Sequence, residues 1–388
     1  MENFVFHTPT KVHFGKGTIE SLHDEVVAIG KKKVLLVYGG SSIKRSGLYD
    51  SVLAKLNDCE IFELSGVEPN PRITSVRNGV QICKDKGVEV VLAVGGGSVL
   101  DCAKAICAGA CYEGDAWDLV LDWNKVTKAL PLVTILTLSA TGSEFDFGSV
   151  ISNLETNEKL PLISDHIYPR VSILDPQYTY SVPANQTAAG AADIMSHIYE
   201  QYFCKDSNLV SDGICETILR TIIACAPRLL KDPQDYDARA QMMWASSLAC
   251  NGICSLGNGI RPWPCHGMEH ELSAIYDITH GVGLAILTPH LMRYALNDDT
   301  VERFCHYGKA VFDMPEQADR FAMANEAINK TEQFFTSIGL PNNLTALGID
   351  DSHIDEMAEH CIKFNPGLDQ CPRPLYLEDI KQIYRNSL

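Results

Sequence analysis

Val88-Glu-Val-Val-Leu-Ala-Val-Gly-Gly-Gly-Ser-Val-Leu-Asp101 is the stretch on which the fold turns. A nearly continuous apolar run of this length reads as a strand buried on both faces, the kind found in parallel sheets. It ends in three glycines and passes directly into a segment of helical spacing, Ala103 to Ala110. Glycines let the backbone turn tightly and approach a ligand, and the free N–H groups at a helix start favour a pyrophosphate. Gly95, Gly96, Gly97 and Ser98, with Asp101 in the helix that follows, are therefore read as a dinucleotide loop, although not in the G-x-G-x-x-G form.

The same alternation extends in both directions. Upstream, Lys11-Val-His-Phe-Gly reads as a strand, Ile19 to Ile29 as a helix closed by Gly30, Lys33 to Tyr38 as a buried strand, and Ile61 to Leu64 as another, followed by a helix from Ile73 to Lys86. Downstream, strands are expected at Leu132 to Leu136 and Arg170 to Leu174, separated by the hydroxyl-rich turn Thr137-Leu-Ser-Ala-Thr141-Gly-Ser-Glu144. Strand and helix in alternation imply a doubly wound, Rossmann-like α/β domain. From about Val182 the pattern changes to long helical periodicity at 186–204, 208–231, 236–257, 281–297, 315–337 and 376–385. The expected organisation is an α/β N-terminal domain over 1–183 and an all-α C-terminal domain over 184–388.

Bulk properties narrow the partners. A formal net charge of −17 argues against nucleic acid or an anionic membrane surface, and a small neutral substrate fits better. The first residues lack the basic region and apolar run of a signal peptide, and no apolar stretch approaches bilayer length, so a cytoplasmic protein is expected. The fourteen cysteines include no C-x-x-C and are read as small, reduced core residues. A homodimer is the expected assembly.

Chemistry concentrates in Asp193-Ile-Met-Ser-His197, His266-Gly-Met-Glu-His270 and Asp277-Ile-Thr-His280-Gly281. Residues four apart on a helix share a face, so Asp193 with His197, and His266 with His270, each present a pair of ligand groups in one direction. One carboxylate with several imidazoles suits Fe²⁺ or Zn²⁺ better than Ca²⁺ or Mg²⁺. A metal hydrolase could use such a set to activate water, but it would have no use for Gly95 to Ser98.

Taken together these segments resemble the iron-containing (group III) alcohol dehydrogenase family, within it the butanol dehydrogenase branch. The resemblance runs nearly end to end, through Pro9-Thr-Lys-Val-His-Phe-Gly-Lys-Gly17, Val37-Tyr-Gly-Gly-Ser-Ser-Ile-Lys-Arg-Ser-Gly47, Glu68-Pro-Asn-Pro71, Gly95 to Ser98, Thr141-Gly-Ser-Glu144 and the three histidine segments. It implies that Asp193, His197, His266 and His280 are the metal ligands, Fe²⁺ before Zn²⁺. His270 would then be a neighbouring residue that relays a proton. It also implies that Thr137, Thr141 and Lys159 line the dinucleotide, and that the substrates are primary aliphatic alcohols and aldehydes. Sister enzymes of the fold, glycerol dehydrogenase and dehydroquinate synthase, are the competing readings.

Two departures from the family pattern stand out. Leu138 and Ala140 occupy positions that are usually threonine and glycine, and Tyr276 stands where some relatives have histidine. NAD-preferring relatives carry an aspartate where this chain has Gly39. The turn Gly39-Gly40-Ser41-Ser42, with Lys44 and Arg45 beside it, has room and donors for a 2′-phosphate, so NADPH is expected to be preferred over NADH.

Overall fold

The computed structural model describes residues 1–30, 32–259 and 262–388. The chain forms two units. One comprises His7–Val182 and Pro233–Asn251; the other comprises Met1–Phe6, Pro183–Asp232 and Gly252–Leu388. The chain passes between the units after Phe6, Val182, Asp232 and Asn251, so residues 1–6 and 233–251 lie outside the expected division into 1–183 and 184–388.

The α/β unit contains strands β1 (Lys11–Phe14), β2 (Lys33–Tyr38), β3 (Glu60–Leu64), β4 (Val90–Gly95), β5 (Leu132–Leu136), β6 (Gly148–Asn153), β7 (Glu158–Ile163) and β8 (Val171–Leu174). Between them lie helices α1 (Leu22–Ala28), α2 (Ser42–Arg45), α3 (Leu48–Lys55), α4 (Ile73–Lys86), α5 (Gly97–Gly109) and α6 (Ala116–Leu121). Six strands form one sheet in the order β1-β8-β5-β4-β2-β3, every neighbouring pair parallel. β4 and β5 are buried along their whole length, as their apolar sequences require. The chain runs outward from β2 to β3, then turns back to β4 on the other side of β2. The order therefore reverses between β2 and β4, where an open α/β sheet leaves a crevice at the carboxyl ends of its strands. Tyr38 and Val94 are partners in register there, so the two glycine turns that follow them flank the crevice.

β6 and β7 form a separate antiparallel hairpin that the sequence reading passes over. Buried polar groups tie it to α5. Lys104, with no exposed side-chain surface, donates from Nζ to Asp146 Oδ1 (2.6 Å) and to the Gly148 carbonyl (2.7 Å).

The remaining helices are α7 (Ala184–Tyr202), α8 (Leu209–Lys231), α9 (Tyr236–Cys250), α10 (Pro264–Tyr276), α11 (His280–Ala295), α12 (Val301–Phe312), α13 (Arg320–Ser337), α14 (Ile354–Phe364) and α15 (Leu377–Asn386). Among the described residues no strand follows β8, which agrees with the all-helical expectation for this part of the chain. α9 is the helix that belongs with the sheet. Its Ser247 hydroxyl donates to the buried carboxyl of Glu144, whose pKa burial pushes up to about 7. α10, α11, α14 and α15 enclose an apolar core that includes Leu272, Leu284, Met357 and Ile380. All fourteen cysteines are free thiols. Among the described residues no helix is long and apolar enough to cross a membrane.

Lys104→Ala would leave Asp146 buried without its counter-charge, which costs about 3–5 kcal/mol. A marked fall in the urea midpoint of the α/β unit, followed by far-UV circular dichroism, is expected; an unchanged midpoint contradicts the pairing.

Candidate metal centre

α7 is a helix buried on nearly every side, and the run Ala188-Ala-Gly-Ala-Ala192 gives it a thin waist as well as high helix propensity. Asp193 and His197 follow that run. The waist matters because α11 crosses α7 there at close range. A Cβ on Gly281 would overlap the carbonyl of Ala189, so only glycine after His280 lets the start of α11 come this near. Asp277, in left-handed conformation at φ 50°, ends α10, and Thr279 opens α11, which makes His280 its first residue. The three histidine-bearing segments thus meet inside the helical unit.

They meet on one atom. Asp193 Oδ1 lies 3.5 Å from His197 Nε2, 3.7 Å from His266 Nε2 and 3.8 Å from His280 Nε2. Ligand atoms of Asp193, His266 and His280 all lie within 4.8 Å of one another. His197 is stacked on His266 with ring centroids 4.7 Å apart, and Trp263 packs edge-on against both rings. His270 belongs to a second group, with Glu269 and His280, and its ring centroid is 5.6 Å from that of His280 and 6.3 Å from that of His266. The structure therefore brings the three expected histidine ligands around Oδ1 of the fourth, Asp193, and sets His270 beside them.

The donor set fits a divalent cation. Asp193 Oδ1 and His266 Nε2 are buried, face each other, and have no hydrogen-bond partner, which native interiors rarely tolerate in polar atoms unless something else binds them. Burial alone would raise the Asp193 pKa, but His197, His266 and His280 around it hold it far below the usual carboxylate range. Burial pushes His197 down to about 3 despite the Asp193 charge, so this ring is neutral with a lone pair to offer. Burial would also lower His266, but Glu200 and Asp193 together raise it to about 9, so a cation and a proton compete at this ring. Cys265 is not part of the group: its thiol is buried against Thr288, and burial pushes its pKa up.

In the α/β unit the candidate nucleotide residues gather at the carboxyl ends of β2, β4 and β5. Thr137 N–H donates to the Gly95 carbonyl (2.9 Å), and a Cβ on Gly97 would overlap the Thr141 side chain, so the turns after β4 and β5 are joined. Leu138 packs over Gly96. Gly40, Ser41 and Ser42 are exposed and Gly39 partly so; Arg45 donates to the Ser41 hydroxyl, and Lys44 lies over the Tyr49 ring at 4.5 Å. Ser98 is the one residue of α5 that is not buried. Lys159 lies on β7 opposite Ser152 and is 5% exposed.

Asp101, expected to hold a pyrophosphate, faces the other way. Its Oδ1 accepts from the Ser143 hydroxyl (2.6 Å) and its Oδ2 from Val150 N–H (2.9 Å). With both oxygens engaged and a negative charge that would repel phosphate, Asp101 holds the loop and the hairpin rather than the nucleotide.

Residues 9–176 match the family model of the iron-containing alcohol dehydrogenases, and residues 187–388 match the model of their C-terminal region. The chain is 52% identical to NADH-dependent butanol dehydrogenase A of Clostridium acetobutylicum, covering 100% of both chains. It is 39% identical to the NADPH-dependent aldehyde reductase YqhD of Escherichia coli, covering 91% of each. The crystal structure of NADH-dependent butanol dehydrogenase A from Thermotoga maritima superposes with a TM-score of 0.95 at 40% identity, over 100% of this chain and 99% of that one.

Gly281→Ala should force α11 away from α7. The expected result is loss of Zn²⁺ binding, read by chelator competition, with helix content retained; undiminished binding would show that the close crossing is not what assembles the centre.

Proposed function

This chain belongs to the iron-containing alcohol dehydrogenase family and is an oxidoreductase, and we propose that it interconverts primary aliphatic, butanol-like alcohols and their aldehydes with NADPH as the preferred nucleotide. The observation that carries the reading is the single carboxylate oxygen of Asp193, buried without a hydrogen bond among three imidazole nitrogens. Asp193, His197, His266 and His280 would hold the ion, Fe²⁺ before Zn²⁺. Four protein donors from three segments leave room for one substrate oxygen. When bound, the ion supplies Lewis acidity toward an alcohol or carbonyl oxygen. His270, one helical turn along α10 from His266, would take or return the proton as the alcohol is oxidised or the aldehyde reduced.

Gly39, Gly40, Ser41, Ser42, Gly95, Gly96, Gly97, Ser98, Thr137, Thr141 and Lys159 form the proposed nucleotide surface. NADPH preference is supported at one position: Gly39 presents no carboxylate to repel a 2′-phosphate, while Lys44 and Arg45 are exposed beside it. Relatives named for NADH stand at 46 to 52% identity and one named for NADPH at 39%, so kinship leans toward NADH and the NADPH reading rests on this loop alone. A cytoplasmic homodimer completes the proposal, two-fold dimers being the commonest assembly of soluble proteins.

Two measurements test it. His266→Ala should lose bound metal and butyraldehyde reduction while NADPH still binds, because the nucleotide residues lie in the other unit; turnover that survives in this variant contradicts the ligand set. The ratio of kcat/KM with NADPH to that with NADH should exceed one and fall below one in Gly39→Asp, and a wild-type ratio below one contradicts the nucleotide preference.

A further inference from the structure

Two buried carboxylates stand behind the histidines. Glu200 lies one turn beyond His197 on α7 and is 7% exposed. Its Oε1 accepts the backbone N–H groups of Cys265 (2.6 Å) and His266 (3.2 Å), and its Oε2 meets Nδ1 of the His266 ring. Those N–H groups belong to the first turn of α10, where Pro264 comes first and Trp263 before it supplies no side-chain cap. Glu200 thus caps α10 from another helix, placing a negative charge where the helix dipole favours one. Glu269, with no exposed surface, does the corresponding work for His280: Oε2 meets the ring Nδ1, and the Ser273 hydroxyl donates to Oε1. Gly283 leaves it the space, since a Cβ there would lie 2.8 Å from Glu269 Cγ.

A carboxylate accepts and does not donate, so in both pairs the imidazole proton sits on Nδ1. In the neutral ring the lone pair is then on Nε2, the atom turned toward Asp193. We propose that Glu200 and Glu269 are positioning residues of the metal centre, each fixing the tautomer and ring orientation of one histidine ligand, with Glu200 also locking α10 against α7. Carboxylates in this relation to ligating histidines raise the basicity of the ring and hold it in place. The inference rests on the metal reading above and adds to it two residues that touch neither ion nor substrate.

Glu200→Gln and Glu269→Gln preserve size and remove the charge. Zn²⁺ affinity measured by chelator competition on the full-length protein should fall about 10- to 100-fold in each, and the visible bands of the Co²⁺-loaded protein should move. Glu271→Gln is the control: Glu271 is on the same helix, 3% exposed, and faces His360 at 3.5 Å, so Zn²⁺ affinity should match wild type. Should Glu269→Gln fail to fold, Ser273→Ala, which removes the bond to Oε1 and a longer one to the Ile278 carbonyl, should lower affinity severalfold. Wild-type affinity in the glutamine variants overturns the positioning role, as does an equal loss in Glu271→Gln. A wild-type protein that takes up no ion overturns the metal reading and this inference with it.

Discussion

A carboxylate removed from water, denied a hydrogen bond on one oxygen and ringed by three imidazoles is an expensive arrangement. Asp193 Oδ1 is in that position, 3.5 to 3.8 Å from three nitrogens that cannot all donate to it at once. Nothing in the local sequence of α7 makes such a site favourable by itself. It persists because the surroundings over-determine it. The alanine-rich waist of α7 and Gly281 bring two helices into backbone contact, and Asp277 turns the chain so that α11 begins on a histidine. A cation that takes the orphaned oxygen and nitrogen as ligands converts this local penalty into binding energy.

The α/β unit solves a different problem by similar means. There the open ends of β2, β4 and β5 need loops that keep their shape without burying it in secondary structure. Thr137 N–H on the Gly95 carbonyl, the Ser143 hydroxyl on Asp101, and Val150 N–H on Asp101 fix the turns and the hairpin to one another. Most of the polar atoms in this chain of contacts are spent on holding the loops. What is left facing outward is chiefly backbone and the small side chain of Ser98, which suits a surface that meets phosphate.

Much of this is legible from residues alone, and the exceptions have physical causes. The strand at Val90–Gly95, the helix at Ile73–Lys86 and the pairing of Asp193 with His197 follow from period and spacing, because each is decided within a few residues. The hairpin of β6 and β7 is not, since Pro161 and a polar turn at 154–157 hide a strand pattern that is stabilised by Asp101 and Lys104 from α5. Asp101 looks like a nucleotide contact until its partners are known. Glu200 and Glu269 sit three residues from expected ligands, a usable signal at i+3 on a helix. The partner of Glu200, however, is 66 residues away, and nothing in the spacing says which of many buried glutamates will meet a ring.

The course of the chain through α9 has a bearing on how the protein comes into being. Synthesis delivers the whole parallel sheet well before Tyr236–Cys250, so a nascent sheet domain waits with Glu144 lacking Ser247 and with the glycine turn at Gly142 uncovered, since Cys250 is what packs against it. No single cut of the polypeptide yields both units whole. Severing it after the last strand strips one fragment of its closing helix and leaves that helix as an exposed insert in the other, so the halves of this protein are inseparable genetically even though each has its own core.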